Sequence, residues 1–240
     1  MASASHLPNP ARFFNFSDTK PSFLISAVLF NKRLPILCPL GFISKAAYFD
    51  ANCYHIGAHC EDQDDLHASL VKNKAALVQN QVALPHPRKY RNVIRENLQA
   101  MAKGARPDMS GEELLADILG DSDAERVILT NANFICVPNR IFEGGDFYAL
   151  VVEKLQAFGT LFQGHDIELS LCMRDPGTFI PAAYGKSHGR SFQRFMAGAA
   201  PTVVQWSGLI HRMRTVLPNA QITAWCNEDT PFIWPKSCVI

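Results

Sequence analysis

His55-Ile56-Gly57-Ala58-His59-Cys60-Glu61-Asp62-Gln63-Asp64-Asp65-Leu66-His67 is the stretch on which the fold turns. It continues Cys53-Tyr54, so that Cys53 to Gly57 reads as a short buried strand. It runs into a segment, Asp64 to Gln79, where Leu66, Leu70, Val71, Ala75, Ala76 and Leu77 recur at helical spacing. A strand that passes through glycine into a helix start is where nucleotide-binding α/β proteins cradle a phosphate, on backbone N–H groups at the positive end of the helix.

The same alternation of strand and helix signals continues outward. Gln81 to Pro85 is a short extended piece closed by proline. Tyr90 to Ala102 carries Val93, Ile94, Leu98 and Met101 on one helical stripe, and Ser110 with Glu113 forms a capping box that opens another helix. Arg126 to Thr130 is a strand, Asp146 to Phe158 a helix with Asp146 as its cap, and Ile167 to Met173 a strand. Helices are expected at Thr178–Tyr184, Ser191–Ala197 and Thr202–Val216, and a last strand at Gln221–Trp225. Strands separated by helices pair in parallel through right-handed crossovers, which predicts a three-layer α/β domain, a parallel sheet flanked by helices. In such a sheet ligands bind beyond the carboxyl ends of the strands, so the segments that follow each strand carry the functional information.

A second such segment is Met173-Arg174-Asp175-Pro176-Gly177-Thr178, continuing to Ala182-Ala183-Tyr184. Together with His55 to His59 it resembles the bacterial sulfotransferases, a family with a P-loop NTPase-type fold. Their phosphate loop runs His-Ile-Gly, a small residue, His, Lys, Thr, Gly, Thr, Thr. Their 3′-phosphate segment runs Arg, Asn or Asp, Pro, with a later Ser, a small residue and Tyr. The resemblance spans Tyr54 to Trp234, with the two motifs in the family's order. It implies a sulfotransferase-like parallel sheet, 3′-phosphoadenosine-5′-phosphosulfate as donor and a sulfate ester as product. Carried over residue by residue, it places Arg174 and His59 among the donor-binding groups.

The departures fall where binding is done. The loop's Lys position is Cys60, its Gly position Asp62, and its two Thr positions Gln63 and Asp64, while the Ser of the second segment is Ala182. A phosphate cradle needs a cation, hydroxyls and a glycine that lets backbone close on the anion. Here Glu61, Asp62, Asp64 and Asp65 would repel a phosphate, although four carboxylates at a helix start do offset its dipole. The loop therefore reads as degenerate. Two functions follow: a sulfotransferase-like binding or scaffold module that has lost its donor, with no cofactor expected, or a divergent sulfotransferase that still uses the phosphosulfate donor on an unknown hydroxyl or amine acceptor. The catalytic group is unknown on either.

Other chemistries are weaker. His55, His59, Cys60, Glu61, Asp62, Asp64 and His67 include every common metal-ligand type, but His55 and His59 straddle a strand end and Asp62–Asp64 lack the later residues of a calcium loop, so no metal site is expected. A Cys60–His59 or Cys60–His67 nucleophile would have its thiol pKa raised by the acidic neighbours, the wrong direction for activation. No GxSxG elbow occurs. Asn131 and Asn133 follow one strand, Glu228 and Asp229 the last, and Lys186-Ser187-His188-Gly189-Arg190 is a basic turn placed to guide an anionic acceptor.

Bulk composition sets outer bounds. Of 240 residues, 48% are hydrophobic and 19% charged, enough to bury a real core. The net charge of +1 predicts no DNA or RNA partner, and the short basic run His86 to Arg91 reads as a solvated helix start. Seven cysteines with no CxxC pair suggest buried thiols in a reducing, cytoplasmic setting. No apolar run reaches the ~20 residues of a membrane span. Residues 1–48, proline-broken with Asp18 as their single acid, are expected to be a disordered or targeting-like extension. Residues 49–240 are expected to form one domain, cut short after Trp234 relative to the family, with a protein partner as the candidate ligand of a donor-blind fold.

Overall fold

The computed structural model describes residues 51–60 and 63–229. Strand β1 (Ala51–Gly57) lies inside a five-stranded sheet between β3 (Arg126–Thr130) and β4 (Ile167–Met173), with β2 (Val82–Ala83) and β5 (Gln221–Cys226) at the edges. All four pairings are parallel and the strand order is β2-β3-β1-β4-β5. The sheet is flanked by helices, as the alternation of strand and helix signals predicts.

Chain order explains which face each helix covers. From β2 to β3, β3 to β4 and β4 to β5 the chain advances in one direction across the sheet. These crossovers carry α3 (Arg91–Ala102), α4 (Gly111–Leu119), α5 (Val151–Leu161), α6 (Pro176–Lys186), α7 (Phe192–Met196) and α8 (Trp206–Val216). Their apolar stripes join Tyr54, Ile56, Val127, Leu129, Leu169 and Leu171 in one large core. The step from β1 to β2 runs the opposite way, and a right-handed crossover then has to cover the other face. There α1 (Gln63–Lys72) and α2 (Lys74–Gln79) lie, and Leu77 packs with Cys53, Val82 and Ile128.

Alternation within β1 decides this partition, because successive side chains point to opposite faces. Tyr54 is fully buried against Phe158 (4.4 Å between centroids) and Phe162 (5.1 Å) on the large-core side. On the other face Arg126 reaches across β1 to Glu168, Nη2 to Oε2 at 2.6 Å, beside Cys53.

Three helices differ from their sequence-based outlines. The segment Asp64–Gln79 is two helices, broken at Asn73, whose amide donates to the Ser69 carbonyl and competes with the helical ladder there. The helix expected from Asp146 starts only at Val151, with Leu150 at the cap position. Gly144, Gly145 and Tyr148 all have positive φ, which an α-helix excludes, and Asp146 sits in extended backbone. The Thr202–Val216 helix is a 3₁₀ turn, Pro201–Val203, followed by α8. Among the described residues no helix is long and apolar enough to cross a membrane.

Candidate functional site

At the carboxyl edge of the sheet the chain leaves β1 toward β2 and leaves β4 toward β5. Adjacent strands whose connections diverge open a crevice between them, and this is where an open α/β sheet binds ligands. Ala58–Cys60 forms one wall and Arg174–Asp175 the other. The walls are joined at the base by Ala58 N–H donating to the Cys172 carbonyl at 2.9 Å. The two motifs read from the sequence thus lie side by side, 114 residues apart in the chain.

The β3 loop has to cross over β1 on its way to α5, and Gly57 makes room for it. Its φ is +102°, and a Cβ there would stand 3.2 Å from Cα of Ala132. Once across, the loop meets His59. The Nε2 of His59 lies 2.9 Å from the Cys136 carbonyl and 3.1 Å from Oδ1 of Asn133; its Nδ1 lies 2.7 Å from the Tyr148 hydroxyl. A carbonyl only accepts, so the proton is on Nε2 and the Tyr148 O–H donates to Nδ1. The same hydroxyl accepts from the His59 backbone N–H at 3.2 Å, and the two rings stack at 5.7 Å. Burial holds the His59 pKa down to about 4, against the opposing pull of its bonds to Asn133 and Cys136. His59 is therefore a neutral, saturated imidazole that ties three loops together, not a cation facing the crevice. Tyr148 is itself fixed by Arg212, which donates to the Tyr148 and Phe147 carbonyls.

Arg174 is half-buried in the opposite wall. Its Nη1 donates to the Cys60 carbonyl at 2.8 Å and its Nε to the Thr178 hydroxyl at 3.2 Å, while its own carbonyl accepts from the Trp206 indole at 2.9 Å. The neighbouring carboxylate, Asp175, instead caps α6 by accepting from Thr178 N–H. Asp175 N–H in turn donates to Glu228, so the segment after β5 does reach this wall. Cys60 has a left-handed φ of 64°, which turns its carbonyl toward Arg174. Ala182 sits partly buried on α6 and supplies no hydroxyl.

Glu61 and Asp62 lie outside the described residues, as do the side chains of Gln63, Asp64 and Asp65. Among the described residues no group of three or more His, Cys, Asp or Glu side chains is arranged to hold a metal ion. Lys186, His188 and Arg190 are exposed; Asn139 accepts from His188 N–H at 3.2 Å and donates to its carbonyl, and Arg190 donates to the Asn139 carbonyl, which anchors the basic turn to the β3–α5 segment. Sequence reading missed Tyr148, Trp206 and the Cys60 carbonyl. Tyr148 sits in a stretch with Phe142 and Phe147, Trp206 stands alone in a stretch with no motif, and a backbone carbonyl has no sequence signature.

No family model matches the chain, and no curated protein matches it. Among solved structures, the chain is similar to a sulfotransferase from Alicyclobacillus acidocaldarius. The match has 14% sequence identity and a TM-score of 0.46, and covers 78% of this chain and 77% of that one. Likeness at this level assigns no role to any residue here.

Proposed function

We propose that this chain is a sulfotransferase-like α/β protein that no longer holds a phosphosulfate donor and serves as a binding or scaffold module. The observation that carries the proposal is the bond from Arg174 to the Cys60 carbonyl. Cys60 occupies the position where the resemblance calls for a lysine. There the crevice presents a carbonyl oxygen, a partial negative charge, and the cation opposite is engaged with it. A donor phosphate would have to break that bond and replace it in a loop whose sequence holds Glu61, Asp62, Asp64 and Asp65. His59 adds no charge, since it is neutral with both ring nitrogens satisfied. Group transfer depends chiefly on charged and hydrogen-bonding groups aimed at the charge that develops on the moving group, and the groups that would supply that stabilisation are the ones replaced.

The test is calorimetric titration of the full chain with 3′-phosphoadenosine-5′-phosphate, beside an Arg174→Ala control. No saturable heat is expected in either protein. Micromolar binding that disappears in the control would overturn the proposal and establish the divergent sulfotransferase reading, with Arg174 as its donor-binding cation.

A further inference from the structure

The basic run His86-Pro87-Arg88-Lys89-Tyr90-Arg91 is more than a solvated helix start. It folds into a 3₁₀ turn, Pro87–Lys89, that leads directly into α3. Between this turn, the start of α3 and α1 lies a cleft of about 300 Å³ lined by His67, His86, Pro87, Arg88, Arg91 and Asn92. It lies beyond the ends of β2 and β3, on the far side of β3 from the Arg174 crevice, and shares no described residue with it.

Apart from Pro87, each lining residue carries a side chain that can donate a hydrogen bond or a positive charge. Arg91 is half-buried and held in place by its Nε, which donates to the Thr130 carbonyl at 2.9 Å. Its terminal nitrogens have no partner among the described residues. The Arg88 guanidinium is exposed and likewise has none. Nδ1 of His86 accepts from the Arg88 backbone N–H at 3.2 Å, so the other ring nitrogen, Nε2, is left to donate. The start of α3 has no side-chain cap and no acidic residue in its first turn, unlike α4, where Ser110 and Glu113 close a full capping box. Its free N–H groups open beside Asn92. No carboxylate is among the described residues that line the cleft. Two guanidinium groups on one small opening repel each other unless an anion lies between them.

We propose that this cleft binds the phosphate group of a small phosphorylated molecule. The volume lies at the lower end of small-ligand sites, more than an inorganic ion fills. Planar guanidinium groups recognise phosphate oxygens in pairs. Buried Pro87 and the imidazoles of His67 and His86, edge to face at 6.5 Å, offer flat walls to the organic part.

The experiment titrates the full chain with phenyl phosphate and, separately, with inorganic phosphate, at constant ionic strength set with sodium chloride. Wild type is compared with Arg88→Gln, Asn92→Asp and Arg174→Ala. The Arg88 side chain makes no hydrogen bond or ion pair with another described residue, and its backbone bond to His86 survives the substitution. An aspartate at position 92 favours the helix start while repelling an anion, so both variants keep the fold. Saturable binding is expected in wild type and in Arg174→Ala, weakened at least about tenfold in Arg88→Gln and in Asn92→Asp. Tighter binding of phenyl phosphate than of inorganic phosphate identifies an organic phosphate as the ligand. Equal affinity in wild type, Arg88→Gln and Asn92→Asp would overturn the proposal, as would the absence of saturable binding. So would loss in Arg174→Ala with retention in Arg88→Gln, which would move the anion to the β1–β4 crevice and count against the donor-blind reading instead.

Discussion

Replacing Tyr148 by phenylalanine removes one oxygen and tests the central node of the carboxyl edge. That oxygen donates to Nδ1 of His59 and accepts from the His59 backbone N–H. The ring remains, with its contacts to Phe147 at 4.7 Å and to the His59 ring. What changes is that a buried imidazole nitrogen and a buried N–H are left without partners, each costing about 1–3 kcal/mol. The expected loss is therefore about 2–6 kcal/mol, large for a single atom in a domain of this size. Urea unfolding at pH 7.5 measures it, followed by tryptophan fluorescence, to which Trp206, packed edge-on to Phe147 and Phe179, contributes beside Trp225 and Trp234. Acid supplies an independent arm. The His59 pKa is about 4 in the folded chain against an ordinary 6.5. Between those values the unfolded chain binds more protons, so folding stability is intact above about pH 6.5 and falls as the pH drops toward 4, by about 3 kcal/mol in full. His59→Gln keeps a donor and an acceptor but does not titrate, so it should flatten that part of the acid limb. A Tyr148→Phe loss under about 0.5 kcal/mol, together with parallel acid limbs for wild type and His59→Gln, would refute the saturated-imidazole account.

Two further outcomes are expected, one from the opposite sheet face and one from buried thiols on both faces. Arg126→Met leaves Glu168 poorly solvated and unpaired, and should cost about 3–5 kcal/mol in urea unfolding, whereas Arg126→Met with Glu168→Leu should recover most of it; a double variant as unstable as the single would deny the pair its role. Burial pushes the Cys53 thiol up to about 11 and the Cys136 thiol up to about 12, so at pH 8 an aromatic disulfide reagent should label both only after unfolding; labelling of either in the native protein would contradict the packing.

Whatever depends on local pattern is legible in the sequence. Runs of apolar and β-branched residues between polar breaks outline β3 and β4, and Ser110 announces α4 through its own capping box. The register of motif, strand end and helix start places Arg174 beside the β1 loop, because topology alone brings those two ends together. Segments governed by backbone conformation are not legible. The residues from 141 to 150 have a near-helical spacing of Ile141, Phe142, Phe147 and Tyr148, yet positive φ at Gly144, Gly145 and Tyr148 keeps them irregular until Val151. The His59–Tyr148 pair escapes for a different reason. It joins side chains 89 residues apart, neither of which sits in a recognisable pattern with the other. The partner of Arg174 is a carbonyl, which every residue has and no residue name reveals.

The central position of β1 has a consequence for how the protein is made. Both strands that flank it, β3 and β4, are translated after it, and the second is complete only at Met173, 116 residues beyond Gly57 (173 − 57 = 116). At about 5–20 residues per second that is about 6–23 s in which the nascent strand has at least one bare edge. During that interval Cys53, Tyr54 and Ile56 are available to any other strand that emerges nearby. Yield in a cell would then be governed by the pace of the ribosome over residues 58–173 and by the chaperones that shield the waiting strand, and strengthening contacts of the finished core would do little to shorten the wait.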